Sequence, residues 1–255
     1  YSVDTSGGKV LRFSNVDGPW LELLGRDEYK HFVPKQYAHR GVLWWRSQLA
    51  RYVFRPKPFV LEYTNERRAA MGWKAGQTVV GMHVRHGDKS WDVAHQASYF
   101  GGLGRYVEKA HGIVSSSPTL KEKPVKYFVS TDDASVLTQA SQDSGLDGQI
   151  MWDDREARYN GTHVYSPPGV SDKRWPGFPG DDPNVDTFRY AMDSIKSILL
   201  LARADVFVGS ATSCFSRLVY QLRAAGDMGS LSMGPEWTVD SDPRYSDSPG
   251  WFVDP

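Results

Sequence analysis

The sequence contains a single cysteine, Cys214, and its charges cancel. One cysteine excludes an intrachain disulfide and a zinc site built from four cysteines. The 30 lysines and arginines equal the 30 aspartates and glutamates in number, and no long run of like charge occurs. That balance argues against binding to nucleic acid or to an anionic membrane surface. We therefore expect partners to be recognised through local sites.

Long hydrophobic runs are also missing. The longest uncharged apolar stretch lies around residues 198–202, and a membrane-spanning helix needs about 20 such residues. The first residues, "YSVDTSGGKV", show no signal-peptide pattern. We expect a soluble chain with no membrane segment, in which 255 residues suffice for one or two domains.

The spacing of apolar residues predicts alternating strands and helices. Three β-favouring runs are typical of parallel strands that are covered on both faces. The predicted strands are 78–84, 125–130 and 206–208, and the predicted helical segments are 37–54, 66–71, 99–110, 134–140, 188–202 and 213–223. Loops are predicted at 115–118 and 153–184. The order βαβαβ predicts the α/β class with a Rossmann-like parallel sheet.

Polar side chains follow each predicted strand at its carboxyl end. They are His83, Arg85 and His86 after the first strand, Asp132 and Asp133 after the second, and Ser210, Thr212 and Ser213 after the third. In a parallel sheet these ends meet at one edge, beside helix N-termini that favour anions. The guanidinium fork of Arg85 suits a diphosphate. The sequence therefore predicts a crevice for a nucleotide diphosphate.

Each of these segments also has a purely structural interpretation. Arg85 alone is typical of a surface ion pair, with Asp88 as one partner. The "STDDAS" segment is typical of a helix N-cap, and "GSATS" alone is equally typical of a capping loop. His83 alone is typical of a buried core histidine. The concentration of all three segments at strand ends, in this order, favours the ligand interpretation.

Four ordered segments resemble a known family. "WWRSQLARYVFRPKP" is followed by "HVRHGDK", "FVSTDD" and "ADVFVGSATSCFSRLVY". Together they resemble the α-1,6-fucosyltransferase superfamily across residues 44–220, and four ordered motifs are more specific than one. The resemblance implies a two-lobed GT-B glycosyltransferase that uses GDP-fucose, inverts the sugar configuration and needs no metal or other cofactor. It also implies a glycan or glycoprotein acceptor and a location in the Golgi or secretory-pathway lumen.

The resemblance assigns roles to individual residues. It implies that Arg85 holds the β-phosphate, that His83 touches the guanine or ribose and that Ser213 contacts a phosphate. The remaining donor-site positions are Asp88 and Lys89 in the first motif, Asp132 and Asp133 in the second, Asp193 on the helix before the third strand, and Ser210 and Thr212 in the third motif. For the catalytic base, Asp92 is the nearest carboxylate after the lysine, and His86 is its rival.

The resemblance also suggests a division of the chain. Residues 1–76 are expected to be the remnant of an amino-terminal, acceptor-side lobe with a connecting helix. Residues 77–255 are expected to form the Rossmann-like nucleotide-sugar domain with an irregular tail. The family's glycine-rich loop would precede Tyr1, so the chain is either a fragment or a shortened relative.

Several positions depart from the family pattern. His86 replaces a second arginine, and Gly87 replaces a threonine. Ser197 stands where the family presents an aspartate to guanine, with Asp193 one turn earlier on the same side of the helix. These departures leave a second function open, namely a non-catalytic module that binds a GDP-sugar or a glycan.

Overall fold

The computed structural model describes residues 33–85, 102–142, 146, 148–156, 186–210, 213–225 and 239. Five of the predicted site residues lie outside these ranges, namely His86, Asp88, Lys89, Asp92 and Thr212.

The described helices and strands alternate along most of the chain. In chain order they are a 3-10 helix (Lys35–Arg40), α1 (Gly41–Val53), α2 (Pro58–Ala70), β1 (Thr78–Val84), α3 (Leu103–Ser116), α4 (Pro118–Lys121), β2 (Val125–Thr131), α5 (Ala134–Gln142), β3 (Ile150–Met151), α6 (Thr187–Arg203), β4 (Val206–Val208) and α7 (Cys214–Ala224). The four described strands form one parallel sheet in the order β3-β2-β1-β4. The predicted α/β class with a Rossmann-like parallel sheet is confirmed.

The strands are all parallel, but the order in which they are added to the sheet changes direction between β1 and β4. The chain moves outward from β1 through β2 to β3, and β4 then pairs on the other side of β1. Ligands of open α/β sheets bind beyond the carboxyl ends of the strands at such a switch point. The last β1–β4 pair is Met82 with Val208, so His83 lies one residue beyond it.

Helices cover both faces of the sheet. Val80, Met82 and Val84 of β1 belong to a buried apolar cluster with side chains of α3 and α5. Val79 lies on the opposite face, in a cluster with side chains of α6 and α7. All seven residues of β1 are buried as a result, and this is why its sequence is a continuous β-favouring run.

Helices α1 and α2 form a further layer outside the sheet. Helix α1 contacts α7, and α2 contacts α6. Phe54, which follows α1, packs against the apolar clusters of both α6 and α7. The domain boundary between residues 76 and 77 stays a prediction.

Most predicted elements occur where the sequence placed them, but several bounds differ. The predicted helix 37–54 begins as a 3-10 helix, and the helix predicted to end at residue 110 continues to Ser116. β2 extends one residue further than predicted, and the two-residue β3 was not predicted at all. The segment 66–71, predicted as a single helical turn, is the end of the 13-residue helix α2, which starts at Pro58. Proline suits a first helical position because the amide it lacks would have no helical partner there. The predicted loop at 115–118 is reduced to Ser117, between α3 and α4.

Gly209 is the position at which β4 ends and α7 approaches the sheet. A Cβ atom there would lie 2.7 Å from both Ser216 Oγ and Phe207 Cζ. We expect Gly209→Ala to lower the free energy of unfolding by about 1–3 kcal/mol, as overpacking typically does. The matched control is Gly112→Ala, because a Cβ at Gly112 meets nothing within 4 Å; alanine in the middle of a helix should stabilise by about 0.5–1 kcal/mol. Urea unfolding of both variants tests the pair, and equal stabilities would contradict the tight approach of α7.

Candidate functional site

His83 lies at the switch point, beside the start of α7. Its Nδ1 atom is 2.6 Å from Ser216 Oγ, and its ring stacks on Phe215 with 4.4 Å between ring centroids. Burial, and secondarily the positive charge of Arg85, lower the pKa of His83 to about 3. The imidazole is therefore neutral at physiological pH, and it can offer a hydrogen bond without a charge.

Ser210 and Ser213 shape the turn between β4 and α7. The Ser213 amide donates to Ser210 O at 3.1 Å, and Ser213 Oγ accepts from the Ser216 amide at 3.5 Å as the N-cap of α7. The Ser210 amide in turn donates to Ser216 Oγ at 3.2 Å. These bonds place the first turn of α7 at the carboxyl edge of the sheet. The free amides and dipole of that turn favour a negatively charged ligand.

Arg85 and Asp132 join the ends of two neighbouring strands. Arg85 follows β1, Asp132 follows β2, and the Arg85 guanidinium donates to the Asp132 carboxylate. Both side chains are partly exposed. Both residues were predicted as site residues, but the ion pair between them was not, since the sequence suggested Asp88 as the partner of Arg85. The pair holds the guanidinium at the edge where the polar strand ends converge.

Asp133 has a different environment. Its carboxylate accepts from the Ser135 amide at 2.8 Å, and its own amide donates to Thr131 Oγ1 at 3.2 Å. These bonds begin α5 in the way that the capping interpretation of "STDDAS" predicts. The role of Asp133 as a donor-site residue stays a prediction.

Asp193 and Ser197 lie on the buried face of α6. Asp193 Oδ1 accepts from Tyr63 Oη at 2.6 Å and from Lys196 Nζ at 3.2 Å. Burial and the bond to Asp193 raise the pKa of Tyr63 to about 12. Ser197 Oγ donates to a Glu156 carboxylate oxygen at 3.1 Å. Asp193 thus contacts side chains of α2 and of its own helix, and its role toward guanine stays a prediction.

Two buried residues of this region were not singled out from the sequence. Asp153, just beyond β3, accepts from Arg67 and Lys196 and is fully buried. Ser216 is also fully buried, and it connects His83 to the turn before α7. The signal available for Ser216 was its place three residues after Ser213, where the predicted helix 213–223 begins. No comparable signal exists for Asp153, because its partners lie 86 and 43 residues away.

Within the ranges given above, no group of three or more His, Cys, Asp or Glu side chains is arranged to hold a metal ion. None of the helices in those ranges is long and apolar enough to span a membrane.

Comparison with known proteins agrees with the motif resemblance. Residues 31–150 match the family model described as the N- and catalytic domains of α-(1,6)-fucosyltransferase. A curated α-(1,6)-fucosyltransferase of Drosophila melanogaster is 27% identical over 117 residues, covering 42% of this chain and 18% of the relative. This chain is therefore similar to the α-1,6-fucosyltransferases, and the resemblance predicted from its motifs is confirmed. That family consists of glycosyltransferases.

Solved structures of NodZ α-1,6-fucosyltransferase from Bradyrhizobium are also similar. A NodZ structure co-crystallised with GDP is 22% identical, covers 64% of this chain and 41% of NodZ, and has a TM-score of 0.37. A NodZ structure soaked with GDP-fucose is 22% identical, covers 65% and 42%, and has a TM-score of 0.36. The chain thus spans less than a fifth of the curated relative and about two fifths of NodZ.

Proposed function

We propose that this chain carries the donor-binding part of a GT-B fucosyltransferase, which moves L-fucose from GDP-fucose to a hydroxyl of a glycan or glycoprotein. The observation that carries the proposal is the convergence of family-type segments at one sheet edge. His83 and Arg85 follow β1, Asp132 follows β2, and Ser213 begins α7 beside the β1–β4 switch point. The names of the relatives supply the sugar and the nucleotide.

The proposed mechanism inverts the sugar and uses no metal ion. Breaking the bond between fucose and GDP develops negative charge on the β-phosphate, and that charge needs nearby donors. Arg85 and the amides that begin α7 would supply these donors in place of a cation. A guanidinium has five N–H groups, so Arg85 can bind phosphate while Asp132 keeps it oriented.

The catalytic base and the cellular location are further proposals. Asp92 is the first candidate for the base that activates the acceptor hydroxyl, with His86 as its rival; both lie outside the described residues. We also propose a location in the Golgi or secretory-pathway lumen, and the similarity to a eukaryotic α-(1,6)-fucosyltransferase supports it.

The first test is selective binding of GDP. We expect GDP to bind more tightly than UDP or ADP, because the resemblance gives His83, which is neutral, a contact with the guanine or ribose. Calorimetry with the three nucleotides measures this, and EDTA in every buffer removes binding through a metal ion. Equal affinities would mean that only the diphosphate is recognised. GDP binding without fucosyl transfer to any glycan would favour the alternative, a non-catalytic GDP-sugar or glycan-binding module.

A further inference from the structure

The hydroxyl group of Ser216 lies at the centre of the switch point. Ser216 is fully buried, and its Oγ atom contacts the backbone amide of Ser210 at 3.2 Å and His83 Nδ1 at 2.6 Å. Gly209 permits this approach, since a side chain at that position would meet Ser216. One hydroxyl group therefore joins three parts of the fold: the end of β1, the glycine after β4 and the first turn of α7.

The hydrogen bonds of Ser216 determine which nitrogen of His83 carries the proton. The Ser210 amide can only donate, so it uses a lone pair of Ser216 Oγ. Among the described residues, His83 Nδ1 is the one acceptor within reach of the Ser216 hydroxyl proton. If Nδ1 itself carried a proton, the buried hydroxyl would have nowhere to donate, at a cost of about 1–3 kcal/mol. The favoured arrangement is O–H donating to Nδ1, which leaves the single imidazole proton on Nε2.

We propose that Ser216 is a positioning residue, which holds His83 as the Nε2–H tautomer and so presents a hydrogen-bond donor to a nucleoside diphosphate. The proposal rests on the proposed nucleotide site, and it adds a residue that acts only through His83. No described residue bonds His83 Nε2, and the stack on Phe215 fixes the plane of the ring. The acceptor would be an oxygen or ring nitrogen of the nucleoside, which a neutral donor can bind without competing with Arg85 for the phosphates.

Nitrogen-15 NMR of the imidazole rings tests the tautomer in the full chain without nucleotide. The spectrum of His83→Ala identifies the His83 signals among those of the seven histidines. We expect the wild-type proton on Nε2 and a mixture of both tautomers in Ser216→Ala. Ser47→Ala is the matched control, because Ser47 is an equally buried helical serine on α1, and its spectrum should equal that of wild type. A wild-type proton on Nδ1 would overturn the proposal, even if Ser216→Ala failed to fold.

A double-mutant cycle on GDP affinity tests the route of the effect. We expect Ser216→Ala to weaken GDP binding by about threefold to tenfold, the value of one net hydrogen bond. In the His83→Ala background the same change should cost less than about twofold, because the two residues act as one unit. An equal loss in both backgrounds would identify a merely structural serine and refute the positioning role. If wild type bound no GDP, the proposed function would fail, while the NMR result would still decide the tautomer.

Discussion

Replacing Arg85 by alanine is expected to lower fucosyl transfer by about two to four orders of magnitude, in line with the loss of a principal electrostatic donor. The stability of the variant should change little. The pair between Arg85 and Asp132 is 27% and 25% exposed, and exposed ion pairs contribute about 0–1 kcal/mol. A large kinetic effect with a small thermal effect is therefore the signature of leaving-group stabilisation. Turnover, GDP affinity and melting temperature should be measured on the same preparation.

Lysine at position 85 separates charge from geometry. Arg85→Lys keeps the positive charge but loses the planar fork that binds two oxygens at once, so we expect it to rescue little of the turnover. The control is Arg203→Ala, because Arg203 bonds Asn65 on α2 instead of a residue of the site, and its turnover should equal that of wild type. A variant Arg85→Ala that melts early and binds GDP normally would show that Arg85 serves the fold. Modest loss of GDP affinity in a chain that transfers no fucose would favour the binding module.

The strands could be predicted because the sheet buries them completely. Thr78–Val84 and Val206–Val208 were found with the observed bounds, since strands covered on both faces need continuous apolar runs. β3 could not be found, because two residues carry no periodicity. Most of helix α2 was not predicted, for a different reason. It buries polar side chains such as Thr64 and Arg67, whose burial no hydrophobic pattern reveals.

The position of the candidate site at one sheet edge could be predicted from the sequence, but the contacts between its residues could not. Parallel topology alone brings His83, Arg85 and Asp132 to one edge, so their positions after strands were sufficient. Their partners depend on contacts between distant segments. Arg85 pairs with a residue 47 positions away, and His83 bonds one 133 positions away. Such pairings depend on the sheet register and on the approach of α7, which spacing along the chain does not encode.

The largest effect on stability is expected at Asp153, because this carboxylate neutralises two buried cations. It accepts from Arg67 Nη2 at 2.6 Å and from Lys196 Nζ at 2.6 Å, and both cationic side chains are at most 3% exposed. Burial alone would raise the pKa of Asp153, but the hydrogen bonds from Arg67 and Lys196 lower it well below its usual range. The group is therefore ionised in the folded protein at every pH near neutrality.

We expect Asp153→Ala to lower the free energy of unfolding by about 3–5 kcal/mol, the cost of leaving buried charge uncompensated. Asp154→Ala is the matched control. Asp154 also contacts Arg67, at 3.0 Å, but its side chain is 81% exposed, so its loss should cost less than about 1 kcal/mol. Urea unfolding at pH 7 measures both.

The pH dependence of stability has a definite sign. Because the pKa of Asp153 is lowered in the folded protein, the stabilisation by this carboxylate is fully present above the pKa of an unfolded aspartate, about 3.9. It is lost only as the pH falls further.

A second substitution shows whether unpaired charge is the cause. Removing Lys196 as well, in Asp153→Ala with Lys196→Met, eliminates one of the two buried cations that Asp153 neutralises. Arg67 retains Asp154 as a partner, and Asp193, which also bonds Lys196, retains Tyr63. The double variant should lose less stability than the sum of the two single variants, because residues of one ion-pair network are not independent. Additive losses would contradict this account, since they would mean that Asp153 and Lys196 stabilise the fold independently. The non-additive result would instead identify the Arg67–Asp153–Lys196 cluster as one unit that ties α2 and α6 to the edge of the sheet beyond β3.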